Sequence, residues 1–70
     1  MTHGIQIVVN GESREVPAGI GVPALLSHLG LPADRVAIER NMEILPRSLW
    51  AATSVQLGDR YEIVQLVGGG

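Results

Sequence analysis

The sequence contains no cysteine. That excludes a disulfide framework, a thiolate zinc site and a cysteine nucleophile. It contains no lysine either, so all five cations are arginines: Arg14, Arg35, Arg40, Arg47 and Arg60. No lysine amine on this chain is open to modification. An excess of positive charge is also missing. The formal net charge of −2 argues against nucleic acid as a main partner. No apolar run approaches the length of a membrane span, and the N-terminus lacks a signal-peptide pattern. The expected location is the cytoplasm. At 70 residues the chain is one small domain, which buries about 60% of its unfolded surface and needs no staple.

What is present is concentrated at the C-terminus, where the sequence reads Val67-Gly68-Gly69-Gly70. A glycine run has no side chains to pack, and its backbone reaches angles closed to other residues. The apolar run Ile63-Val64-Gln65-Leu66-Val67 precedes it and reads as a strand. A strand that leads into bare glycines places the terminal carboxylate on a thin arm, about 10 Å long for three residues. That shape suits threading a carboxylate into the narrow active site of another protein. A frayed terminus or a cloning remnant would give the same letters.

The rest of the chain reads as alternating short elements. Ile5, Ile7 and Val9 alternate with Gln6 and Val8, the period of a strand with one buried face. Asn10-Gly11 follows, and both residues tolerate the positive backbone angle of a type I′ hairpin turn. A weaker strand, about Ser13 to Val16, returns at or near an edge. After a loop with Gly19 and Gly21, a helix starts near Pro23, where a missing N–H costs nothing. Leu25, Leu26 and Leu29 share one helix face. Gly30 ends it as a left-handed cap, Leu31 folds back and Pro32 blocks continuation. So short a helix must pack on the sheet to persist. Val36 to Ile38 is a third strand, Asn41-Met42-Glu43 a turn, and Ile44-Leu45 a short return strand stopped by Pro46. Ser48-Leu49-Trp50 reads as a short helical connection. Gly58-Asp59 turns into a last strand, Arg60 to Val67. The order is β-β-α-β-β-β, an α+β class with a mixed sheet of four to five strands packed on one short helix.

One helix covers one face of such a sheet and leaves the other open. In the last strand Tyr61, Ile63, Gln65 and Val67 share one parity, and Glu62, Val64 and Leu66 the other. Ile63 is assigned to the core with Ile7 and the helix leucines. Val64 and Leu66 then lie on the open face with Val8. Together with Val67 they are candidates for docking a partner beside the tail, although a plain β-strand would use the same residues.

Other candidates carry less. His3 lies near the N-terminus and His28 on the helix, and two distant histidines make no metal set. Glu39 and Glu43 flank a turn, which is more often a solvated hairpin end than an acid–base pair. Gly19 and Gly21 do not follow a strand as a phosphate loop requires. Trp50 is expected in the core or at its rim. No turnover by this chain alone is expected.

Val9-Asn10-Gly11, Ala37-Ile38-Glu39-Arg40-Asn41, Ile44-Leu45-Pro46-Arg47-Ser48-Leu49-Trp50, Gly58-Asp59-Arg60-Tyr61-Glu62-Ile63-Val64 and Val67-Gly68-Gly69-Gly70 occur in that order. Together they resemble the thiamine-biosynthesis sulfur-carrier family, ThiS, over nearly the whole chain. Met42 and Leu66 depart from the family's usual small turn residue and phenylalanine. The resemblance implies a ubiquitin-like β-grasp domain over residues 1–67 and a C-terminal glycine tail over 68–70. It implies that the protein is a carrier rather than an enzyme. A ubiquitin-activating-type adenylyltransferase (ThiF-like) would use ATP to form an acyl-adenylate at Gly70. A sulfur-donor enzyme would convert it to a thiocarboxylate, and a thiazole synthase (ThiG-like) would consume the sulfur. Gly68 and Gly69 would thread into the partner's active site. No bound cofactor or metal is implied. Two other roles fit the same ending: a sulfur carrier for molybdopterin or cysteine synthesis, and a ubiquitin-like modifier joined to target proteins through Gly70.

Overall fold

A computed structural model describes residues 4–67. The first strand, β1 (Gly4–Val9), turns at Asn10-Gly11 and returns as β2 (Glu12–Pro17). Asn10 has φ 50° and Gly11 φ 82°. Both values are positive, as a type I′ turn requires. The register pairs Ile7 with Arg14 and Val8 with Ser13, and β2 forms one edge of the sheet.

The helix α1 (Val22–Leu29) begins one residue before the expected Pro23, and Gly21 is its N-cap. Pro23 still lies in the first turn, where its lack of an N–H leaves no helix bond unmade. Val22, Leu25 and Leu26 are buried and Leu29 is half-buried. Each fully buried aliphatic side chain contributes about 1.5–3 kcal/mol, and that packing holds a helix too short to stand alone. Gly30 closes it at φ 72°, ψ 27°. The Gly30 N–H donates to the Ser27 carbonyl and the Leu31 N–H to the Leu26 carbonyl. These two bonds form a Schellman motif.

A 3₁₀ turn at Ala33–Arg35 leads into β3 (Val36–Arg40), which turns at Asn41-Met42 into the two-residue β4 (Glu43–Ile44). A 3₁₀ helix, Arg47–Ala52, supplies Trp50 to the core, where its indole N–H donates to the Leu45 carbonyl at 3.0 Å. The Arg47 guanidinium lies 4.3 Å from the centre of the Trp50 ring and donates to the Ala33 and Val36 carbonyls.

The last strand, β5 (Arg60–Gln65), enters the middle of the sheet. The strand order is β2-β1-β5-β3-β4. β5 is parallel to β1 and antiparallel to β3. Ile7, Val9, Ile38, Tyr61 and Ile63 face the helix and are buried with Val16, Val36, Trp50 and Val55. The result is a five-stranded mixed sheet with α1 on one face, as the order of elements predicts, in the β-grasp arrangement that the resemblance implies. Strand boundaries differ as well: β4 is Glu43–Ile44 rather than Ile44-Leu45, and β5 ends at Gln65 rather than Val67. Its partner β3 begins at Val36, opposite Gln65. Beyond that pair there is no strand left to continue the ladder. Among the described residues, no helix is long and apolar enough to cross a membrane.

Candidate functional site

β5 is fastened at its start by a buried carboxylate. Asp59 is 5% exposed. Its two oxygens accept from Arg40 Nε at 3.0 Å and Nη2 at 3.4 Å, Asn41 Nδ2 at 3.2 Å, the Tyr61 hydroxyl at 2.9 Å and the Gln56 N–H at 2.9 Å. A buried charge is tolerable only when paired and hydrogen-bonded in this way. Burial alone would push the Asp59 carboxyl up, but the donors from Gln56, Asn41, Tyr61 and Arg40 outweigh it and hold it below its ordinary range. Burial, reinforced by the Asp59 carboxylate, pushes the Tyr61 hydroxyl up to about 12.

Two turn asparagines then grip β5 from either flank. On the β1 side, Asn10 Oδ1 accepts from the Ile63 N–H at 2.8 Å and Asn10 Nδ2 donates to the Ile63 carbonyl at 3.1 Å. On the β3 side, Asn41 Oδ1 accepts from the Arg60 N–H at 2.9 Å. The strand is therefore anchored along its length up to the point where the chain leaves the sheet. There the Leu66 N–H donates to the Arg35 carbonyl at 2.6 Å. Leu66 is 53% exposed and Val67 96% exposed. Gly68, Gly69 and Gly70, the residues assigned to the tail and its reactive end, lie outside the described residues, as does His3.

The open face of the sheet adjoins this exit. Register places Ile44, Glu39 and Glu62 in one row across β4, β3 and β5, and Ala37 and Val64 in the next. Val8 stands between Ser13 and Arg60 on the same face. Val64 is 60% exposed and Ile44 78%. Ala37, Glu39, Ile44, Glu62 and Val64 line a shallow groove. Val64 thus lies on the face assigned to it from its parity. Leu66 and Val67 are exposed but belong to the segment beyond β5.

Sequence reasoning missed three features here. It read Gly58-Asp59 as a turn alone, whereas Asp59 is the acceptor for Arg40, Asn41 and Tyr61. It placed Glu39 and Glu43 at a solvated hairpin end, which they are, but did not see that Glu39 stands opposite Glu62 on β5. It also passed over the exposed Ile44 and the positive φ of Met42, 72°. The signal for Met42 was in the sequence: it stands in the turn beside Asn41, where the resembled family usually has a small residue.

His28 is exposed. Among the described residues, no group of three or more His, Cys, Asp or Glu side chains is placed to hold a metal ion. The open face offers carboxylates, one guanidinium and aliphatic surface, which are means of binding.

The sequence model of the ThiS family matches residues 7–70. A thiazole synthase of Paramagnetospirillum magneticum is 47% identical over 66 residues, covering 94% of this chain and 20% of that protein. The chain thus spans about a fifth of that relative's length. The sulfur carrier protein ThiS of Escherichia coli is 35% identical over 66 residues, 94% of this chain and 100% of the relative. The crystal structure of a thiamine biosynthesis protein (ThiS) from Geobacter metallireducens superimposes with a TM-score of 0.82 at 36% identity, covering 94% of this chain and 100% of that one.

Proposed function

The chain belongs to the ThiS family, and on that premise we propose that it is a sulfur carrier for the thiazole of thiamine, acting as a co-substrate of partner enzymes rather than as an enzyme. The observation that carries this reading is the match to the sulfur carrier protein ThiS of Escherichia coli over that protein's whole length. The family match extends through Gly70.

The proposed chemistry follows from what a carboxylate can do. A terminal α-carboxyl has a pKa of about 3.5 and is ionised at neutral pH, which makes it a poor electrophile. An adenylyltransferase activates the Gly70 carboxylate with ATP: an oxygen of the carboxylate attacks the α-phosphorus, pyrophosphate leaves, and an acyl-adenylate remains. A sulfide equivalent supplied by the donor attacks the acyl carbon, its S–H proton is lost, and AMP leaves with the bonding electron pair. The product is a thiocarboxylate at Gly70. A thiazole synthase then takes the sulfur. Gly68 and Gly69 have no Cβ to collide with a channel that admits bare backbone. The β-grasp body holds the point of departure at Leu66 and presents Val64, Leu66 and Val67 as partner contacts.

The partner synthase is supported by the P. magneticum relative. A protein named thiazole synthase includes a segment similar to this whole domain. Reconstitution tests the reading. The chain, an adenylyltransferase, ATP, a sulfur donor and a thiazole synthase together should yield the thiazole. A chain shortened by Gly69 and Gly70 should yield none while remaining folded. Equal yield from the shortened chain would refute the proposal.

A further inference from the structure

β3 has β5 along one side and little along the other. On that other side β4 pairs with Glu39 and Arg40, and the Leu45 N–H reaches one step further, to the Ile38 carbonyl. Carbonyls two residues apart on a strand point the same way, so the next on that side is Val36. Here, where β4 has ended, a side chain takes the strand's place. Arg47 Nη2 donates to the Val36 carbonyl at 3.1 Å, and Nη1 donates to the Ala33 carbonyl. The guanidinium lies 4.3 Å from the centre of the Trp50 ring, and Trp50 is itself buried and bonded to the Leu45 carbonyl. A planar fork of donors can serve two carbonyls at once, and its charge strengthens both bonds.

Those two carbonyls bracket Arg35. The Arg35 carbonyl accepts from the Leu66 N–H at 2.6 Å, and the Arg35 N–H is turned to the Pro32 carbonyl at 3.1 Å. Leu66 therefore receives no second bond from Arg35 in return. The point at which the chain leaves the sheet depends on one backbone bond, and that bond depends on where residues 33–36 lie.

We infer that Arg47 is a positioning residue for the C-terminal arm: by fixing residues 33–36 between the Trp50 ring and β5, it sets where the Arg35 carbonyl meets Leu66, and so the direction in which the chain leaves toward Gly70. The inference rests on the carrier reading and adds a residue to it. Arg47 acts through the backbone and touches no reacting atom. A carrier whose body docks but whose arm leaves at varied angles presents Gly70 to an activating site in fewer encounters. The loss then falls on turnover rather than on binding.

Arg47→Met keeps an aliphatic stem beside Trp50 and removes the donors. Hydrogen exchange of the full chain, followed by NMR, should show the Leu66 amide exchanging about tenfold faster, with the Ile63 amide unchanged. Pyrophosphate release with an adenylyltransferase and ATP, measured well below the melting temperature, should show kcat lower by about tenfold and KM for the carrier within about twofold. Arg47→Lys keeps the charge without the fork and should fall between the two chains. If Arg47→Met does not fold, Arg47→Lys is read in the same way against the unaltered chain. An arginine that only stabilises the fold would loosen Ile63 and Leu66 alike and leave kcat unchanged. That pattern overturns the inference, as does an unchanged Leu66 amide, and either leaves the carrier reading standing. An unaltered chain that releases no pyrophosphate with adenylyltransferases shown to be active overturns the carrier reading, and the inference with it.

Discussion

The side-chain amide of Asn10 and the backbone of Ile63 exchange two hydrogen bonds across 53 positions of sequence. The parallel ladder between β1 and β5 is short, with Val8 opposite Arg60 and Val9 opposite Tyr61. The chain then leaves β1 for its hairpin turn. Asn10 takes the place of a further strand residue, presenting an acceptor to the Ile63 N–H and a donor to its carbonyl. One residue thereby serves two ends: a positive φ for the turn, and two more rungs for the strand that leads to the C-terminus.

Replacing Asn10 by glycine separates those roles. Glycine keeps the turn geometry and loses both bonds. The Asn10→Gly variant should fold but lose about 1–2 kcal/mol, read as a lower urea midpoint with an unchanged slope. An unchanged midpoint would show that water replaces the amide without cost.

Asp59 should be the costliest polar side chain to remove. Asp59→Ala leaves Arg40, Asn41 and Tyr61 without their acceptor and should destabilise by about 3 kcal/mol. The Arg40 side chain is 29% exposed, so water recovers part of its share. Adding Arg40→Met to that variant should restore some stability, because the orphaned cation is then gone. Urea unfolding of the single and double variants measures the recovery.

The pH limits of stability follow from the same cluster. The Asp59 carboxyl is held below its ordinary value of 3.8 by its donors, so its contribution is present above that value and is lost as pH falls through the lower folded value. The Tyr61 hydroxyl is raised from 10.0 to about 12. Between those two values the folded chain holds a proton that the unfolded chain has released, so stability declines as pH rises. Thermal melts across both ranges should show two flanks, and Tyr61→Phe should remove the tyrosine part of the alkaline flank.

Leu66 is held through its backbone N–H while its side chain stands in water. Leu66→Asp should therefore melt close to the unaltered chain and bind the adenylyltransferase more weakly, since an unpaired charge resists burial in an apolar contact. A large loss of melting temperature would mean that the side chain supports the fold.

Much of the architecture was legible because it is set locally. Asn10-Gly11 can form only a few turns, Gly30-Leu31-Pro32 stops a helix, and the parity of Ile5, Ile7 and Val9 gives a buried face. The missed features depend on residues far apart in sequence. Asp59 follows a glycine and reads as a turn residue, and its burial appears only when β5 lies between β1 and β3. Leu66 and Val67 are good strand formers, but the strand ends where β3 has no residue to pair with them. The opposition of Glu39 and Glu62 is a matter of register, which composition does not show. The Gly70 chemistry was suggested by the letters at the end of the chain, and the open face beside it was foreseen only at Val8 and Val64.

The central claim is that sulfur is carried on the main chain at Gly70. Intact-protein and fragment mass spectrometry after incubation with an adenylyltransferase, ATP and a sulfur donor tests it most directly. The account predicts one sulfur in place of one oxygen, located in the C-terminal fragment and dependent on ATP. An unchanged mass with an adenylyltransferase shown to be active, or sulfur located elsewhere in the chain, would contradict it.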